Sequence, residues 1–299
     1  MRNKELIIIA GPTGIGKTGL SIEIAGELGT EIISADSRQI YKEMSIGTAV
    51  PSKNQLSRVK HHFIQNISVK EYYNASIYEN QVLNKLDELF QKYNQVVMTG
   101  GTGLYIDTVR FGIDELPEAD MKLRQQLEER IQNHGLESLV KELKILDPVS
   151  YNSIDLKNPK RVQKAMEVSL MTGKPYSAFL NKGDRQRNFT TKLIALNMER
   201  EQLYERINLR TEAMMKAGWL EETERLLKYR DFNALNTVGY KELFAYLDGL
   251  MNLDEAVEKI KANTRKYARK QITWFRKEQG YRWFFPDEKD RILKYIYND

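Results

Sequence analysis

The segment Gly11-Pro12-Thr13-Gly14-Ile15-Gly16-Lys17-Thr18 fits the pattern G-x-x-x-x-G-K-[ST], whose chemistry is the holding of a diphosphate. Glycines let backbone N–H groups turn inward on the phosphates, and the N-terminus of a following helix adds its positive dipole end. In such a loop Lys17 neutralises charge on the terminal phosphate and the Thr18 hydroxyl ligates Mg2+. The flanks agree: the apolar run Leu6–Ala10 precedes the loop and a helix-compatible stretch, Lys17–Leu28, follows it. The loop predicts what is bound, not what is done to it. ATPases, small-molecule kinases and other enzymes acting on phosphorylated substrates all remain open.

Two further segments carry candidate chemistry. In Ile32–Tyr41, Asp36 falls at the C-terminal end of a predicted strand, beside the phosphate loop in an α/β sheet. A carboxylate there can bind Mg2+, act as general base or hydrogen-bond acceptor for an incoming amine, or cap the following turn. In Thr99-Gly100-Gly101-Thr102-Gly103-Leu104-Tyr105 a strand again ends in a Gly-rich turn into a helix, and Thr102 presents a hydroxyl. Its glycines permit close backbone approach, although a tight strand–helix turn explains them equally well.

The elements that must position these residues alternate. Leu6–Ala10, Glu31–Ala35 and Val96–Thr99 read as strands, Leu193–Met198 supplies another, and Lys17–Leu28 and Ser76–Tyr93 read as helices. This order predicts an α/β fold of the P-loop NTPase-like kind, a parallel sheet covered by helices. Beyond about Leu116 the texture becomes helical, rich in Gln, Glu, Lys and Leu and punctuated by Pro117, Pro148, Pro159 and Pro175. We expect a mostly helical insertion domain over 116–187, framed by Gly112 and by Asn181-Lys182-Gly183-Asp184, within a core made of 1–115 and 188–299. Later helices are expected over Glu199–Ala217 and Trp219–Tyr229, with Gly218 as the stop between them, and over about Leu253–Gln279. The last has an apolar stripe of Val257, Ile260, Tyr267/Ala268, Ile272 and Phe275.

Composition narrows the classes. The chain has 299 residues, 41% hydrophobic and 29% charged, with no apolar run of membrane-spanning length and no signal-like N-terminus, so a cytoplasmic protein without a membrane role is expected. Zero cysteines exclude disulfides, thiolate zinc and a thiol nucleophile. Three histidines, two of them at His61-His62, make a His-rich metal centre a poor fit, and a structural or turn role suits the pair better. The net charge is only +5, yet Lys259–Lys277 holds eight Lys/Arg and no acid. A solvated face usually mixes signs, so this helix favours a bound polyanion.

Taken in order, GPTGIGKT, ISADSRQIY, Ile46-Gly47-Thr48-Ala49, His61-His62-Phe63-Ile64 and GGTGLYI resemble the tRNA dimethylallyltransferases, also called tRNA isopentenyltransferases, of bacterial type. The resemblance continues through Asn158–Val168 and Thr172-Gly173, then Thr237–Glu242, then Thr264–Arg276. It implies transfer of the dimethylallyl group from dimethylallyl diphosphate to N6 of the adenine just 3′ of the anticodon, in tRNAs reading codons that begin with U. Gly11–Thr18 would hold the diphosphate with Mg2+ on Thr18. Thr13 would lie near the reacting centre, Asp36 would accept a hydrogen bond or proton from the amine, and Lys17 and Arg210 would stabilise the departing diphosphate. Asp36, Ser37, Arg38, Gln39, Thr102, Arg124, Lys160, Arg161, Val162, Gln163 and Lys164 fall where the family contacts tRNA. The helical insertion would grip the anticodon stem-loop, the adenine would flip into a channel, and the enzyme would act as a monomer. One departure is Val50, where many members carry Lys, with Lys53 as a replacement; the family's eukaryotic zinc-finger motif is also missing. A P-loop small-molecule or nucleotide kinase and an adenylate isopentenyltransferase remain alternatives. The Asn-Pro-Lys-Arg block and the basic helix favour tRNA over a mononucleotide.

Overall fold

Leu6–Ala10 is a continuous apolar run because it forms a strand covered on both faces, every residue of it fully buried. The computed structural model describes residues 4–114, 116–117, 120–180 and 185–297. Along the chain come β1 (Glu5–Ala10), α1 (Lys17–Glu27), β2 (Ile32–Ser34), α2 (Lys53–Arg58), β3 (His61–His62), α3 (Ala75–Leu89), β4 (Gln95–Gly100) and α4 (Gly103–Phe111). Four helices follow: α5 (Met121–His134), α6 (Leu136–Leu146), α7 (Pro148–Ser153) and α8 (Pro159–Thr172). The chain then returns with β5 (Thr190–Leu196), α9 (Arg200–Lys216), α10 (Trp219–Leu226), α11 (Tyr240–Leu247), α12 (Leu253–Lys277), β6 (Arg282–Phe284) and α13 (Lys289–Tyr297).

Among the described residues, six strands make one parallel sheet in the order β3-β2-β4-β1-β5-β6. The expected α/β fold is therefore present. Two of its strands are not foreseen by pattern: β3, where His61-His62 reads as a turn, and β6. Both are edge strands of two or three residues, too short for an alternating pattern to show. Register decides where the site lies. Ala10 pairs with Gly100 and Ser34 with Thr99, so the loops leaving β1, β2 and β4 emerge side by side at the carboxyl edge. The core under them joins Ile7 and Ile9 to Ile22, Ile24, Ile194, Leu203 and Ile207. Among the described residues no helix is long and apolar enough to cross a membrane.

Gly112–Arg185 folds as its own compact unit, and the segments before and after it form the other. Asn181–Asp184, expected to close the insertion, lies outside the described residues. The smaller unit is held by Leu127, Leu139, Leu143, Val162, Ala165 and Met166, all essentially buried. Three of these helices, α5, α7 and α8, start where the side chains of Asp120, Asp147 and Asn158 accept N-terminal amide hydrogens, each cap contributing about 1 kcal/mol, whereas α6 starts at Gly135 without a side-chain cap.

Candidate active site

The loop between β1 and α1 turns on glycine. Gly14 and Gly16 have φ of 82° and 104°, and Gly16 is the residue from which α1 starts, with no side-chain cap. Ile15 points into the core, fully buried, and anchors the loop from beneath. Lys17 Nζ donates to the carbonyls of Gly11 and Pro12, at 2.9 and 2.8 Å. Desolvation draws the Lys17 ammonium down to about 8; the Asp36 carboxylate works against this and the Arg210 guanidinium adds to it. Burial likewise holds Arg210 below its usual value, with Asp36 opposing. Asp36, Lys17 and Arg210 are thus within electrostatic reach of one another, although they come from three separate elements.

Asp36 follows β2, and its two carboxylate oxygens have different surroundings. Its Oδ1 accepts from the amides of Arg38 and Gln39, at 2.9 and 3.2 Å, which is the turn-capping role. Its Oδ2 has no hydrogen bond among the described residues, so half of the carboxylate is left to face the cavities. The next side chains brace the wall. Arg38 donates to the carbonyls of Asn233, Ala234 and Asn236, and Gln39 Nε2 to those of Thr48 and Ala49. The Ser37 amide donates to Thr102 Oγ1 at 3.1 Å, which ties the β2 loop to the β4 loop.

Two cavities of about 360 and 560 Å³ open on this edge. The first is lined by Gly14, Gly16, Lys17 and Thr18 of the phosphate loop together with Ser34, Thr99 and His61. The second is lined by Arg38, Trp219, Asn236, Thr237, Asn263 and Thr264, a wall rich in amides and hydroxyls. Thr13, Gly14, Asp36, Arg210 and Tyr267 line both. A diphosphate-type cradle and a polar chamber therefore meet at one threonine, one carboxylate, one guanidinium and one phenol.

Of the site residues expected from the sequence, Thr13, Gly14, Gly16, Lys17, Thr18, Asp36, Gln39 and Arg210 line the first cavity, and Ser37 and Arg38 the second. Gly11, Pro12 and Ile15 shape the loop from behind. The remaining residues except Thr102 belong to the insertion unit. There Arg124 holds the buried Glu167 through Nε and Nη2, and Gln163 Nε2 donates to the Arg124 carbonyl. Lys160 and Arg161 are exposed. Val162 and Gln163 are buried, because the helical period turns both into the unit's interior.

Tyr267 and Gln271 are site residues that the sequence patterns do not mark as such. Tyr267 falls in the apolar stripe of α12, but it is 41% exposed and lines both cavities. Desolvation and the Asp36 charge push its phenol up to about 12, against Arg38 and a hydrogen bond with Thr102. The available signal is the polar series Thr264, Tyr267, Gln271, Trp274, spaced so as to share one helix face. The basic run is also partly engaged: Arg265 bonds Asn208 at 2.6 Å, Arg269 bonds the Tyr204 hydroxyl at 2.9 Å, and Lys261 pairs with Glu212 and Glu258.

Comparison with known proteins gives consistent matches. The family model described as IPP transferase matches residues 39–278. The tRNA dimethylallyltransferase 1 of Bacteroides fragilis is 47% identical, over 99% of this chain and 98% of its own length. Among solved structures, the full-length tRNA isopentenylpyrophosphate transferase of Bacillus halodurans superposes with a TM-score of 0.70 at 33% identity, covering 99% of this chain and 95% of that one. A eukaryotic dimethylallyltransferase described as acting on tRNA gives 0.75 at 26% identity, covering 91% and 69%.

Proposed function

The chain belongs to the IPP transferase family and is a tRNA dimethylallyltransferase, and from that premise we propose how its residues divide the reaction. The observation that carries the assignment is the shared wall: Thr13, Asp36 and Arg210 stand between a phosphate-loop cavity and a polar one. The first cavity takes the diphosphate of dimethylallyl diphosphate. The second admits the adenine that lies 3′ of the anticodon, flipped out of its stack. The N6 amine attacks the allylic carbon; the new N–C bond forms as the C–O bond to diphosphate breaks, and the amine proton passes to Asp36 Oδ2. An exocyclic amine is a weak nucleophile, so in-line placement contributes as much as the base. Lys17 and Arg210 meet the charge that builds on the departing diphosphate.

The donor set suits Mg2+. The Thr18 hydroxyl is a hard oxygen donor in the phosphate-loop cavity, and no cluster of three His, Asp or Glu occurs among the described residues. A cation that takes most of its ligands from phosphate and water fits such a sparse site. When bound it neutralises diphosphate charge. We assign the phosphate backbone of the stem-loop to Lys160, Arg161 and Lys164 of the insertion unit and to the exposed lysines of α12, with the enzyme a cytoplasmic monomer.

Labelled dimethylallyl diphosphate, offered with Mg2+ to an anticodon stem-loop, to AMP, or alongside ATP and small acceptors, tests the reading. Label is expected only in the stem-loop. Label in AMP would assign the chain to free nucleotides, and phosphate transfer from ATP would assign it to the kinases.

A further inference from the structure

We infer that Gln271 is a positioning residue for the Pro12–Thr13 peptide, and through it for the reacting centre; the second step rests on the transferase reading above. Gln271 sits on α12, 6% exposed, and the two ends of its amide go to two different loops. Oε1 accepts the Thr13 N–H at 2.9 Å, and Nε2 donates to the Gly101 carbonyl at 2.9 Å. The Thr13 N–H and the Pro12 carbonyl are the two ends of one planar peptide unit. That carbonyl accepts from Lys17 Nζ at 2.8 Å. The peptide is therefore gripped at both ends, by the lysine of the phosphate loop and by a glutamine 258 residues away in sequence. Turning it over would break both bonds at once. Gln271 thereby withdraws one loop amide from the cradle and keeps the Thr13 side chain on the wall shared by the two cavities.

Gly101 completes the device. A Cβ added there would come within 2.2 Å of Gln271 Nε2. The atom displaced is the far end of a flexible side chain, so an alanine at 101 pushes the amide off its seat without demanding a backbone shift. Gln271→Ala and Gly101→Ala should then abolish the same interaction from opposite sides, and their effects should not add.

The experiment measures amide hydrogen exchange at Thr13, together with kcat, KM for dimethylallyl diphosphate, stem-loop Kd and Tm, for wild type, each single variant and the double variant. In both single variants Thr13 should exchange at least about tenfold faster and kcat should fall about tenfold, with stem-loop Kd within about twofold of wild type. The double variant should be no worse than either single one. Unchanged Thr13 exchange, additive losses, or a fall in Tm with kcat untouched would overturn the inference. If the wild type transfers no dimethylallyl group, the transferase reading fails, and Thr13 exchange alone decides whether Gln271 holds the peptide.

Discussion

Two strand-to-helix turns lie next to each other in this fold, and both are rich in glycine for different reasons. The turn after β1 uses glycine for conformation: Gly16 is left-handed, with φ 104°, and a Cβ there would meet little besides Arg206, at 3.3 Å. The turn after β4 uses glycine for room. Gly101 and Gly103 have no positive φ, but a Cβ at either would run into α12, at 2.2 Å from Gln271 and 2.3 Å from the Trp274 indole. Trp274 is itself fixed, its Nε1 donating to Asp107 at 2.8 Å. The first turn is open to a ligand from outside; the second is already filled by the protein's own helix. Similar motifs thus mark a cradle in one place and a helix seat in the other.

Substitutions at the two turns and at the wall between the cavities should separate these roles. The largest effect is expected at the shared wall: Asp36→Ala should lower kcat by about 10²- to 10⁴-fold in single-turnover assays while stem-loop affinity changes little. Surviving turnover would leave Asp36 as a turn cap only. Next come the glycines. Gly103→Ala forces a methyl against a fixed indole and should cost about 1–3 kcal/mol of stability in denaturant melts, with diphosphate affinity kept in the protein that remains folded. Gly16→Ala should cost about 1–2 kcal/mol and also weaken diphosphate binding, because the strain falls in the cradle itself. Equal behaviour of the two variants would erase the distinction.

A pH effect follows from Lys17. Its ammonium loses its proton as pH rises through about 8, whereas a bound diphosphate favours the charged form. Donor affinity should therefore weaken above about pH 8, and binding there should take up a proton. Titration calorimetry in two buffers of different ionisation enthalpy measures this, and zero uptake at pH 9 would remove Lys17 from the phosphates. The smallest effect concerns α12. Lys266 and Lys270 are exposed and make no ion pair among the described residues. Replacing both by Ala should flatten the log–log salt slope of stem-loop binding by about 0.7–0.9 for each phosphate no longer neutralised. An unchanged slope would make this a solvated face.

The cradle is legible in the sequence because a local pattern, the apolar run before it and the helix after it, all point to one geometry. Asp36 is legible as a strand-end carboxylate, but not as one whose two oxygens divide between capping and an open cavity. Gln271 is not legible, since its partners lie in loops at the other end of the chain and a glutamine beside a stripe reads as surface. The burial of Val162 is hard to read from the sequence for a related reason. A contiguous block suggests a contiguous binding surface, while a helix turns its residues to opposite sides, and Val162 joins Ala165 and Met166 in the core. The edge strands β3 and β6 are too short to leave a period.

The turn after β1 is expected to receive the donor's diphosphate, while the turn after β4 is packed against the protein's own α12. Amide hydrogen exchange, with and without dimethylallyl diphosphate and Mg2+, tests this most directly. Protection should rise at Gly14, Gly16 and Lys17 and stay constant at Thr102 and Gly103. Protection that instead rose after β4, or no change after β1, would place the diphosphate elsewhere.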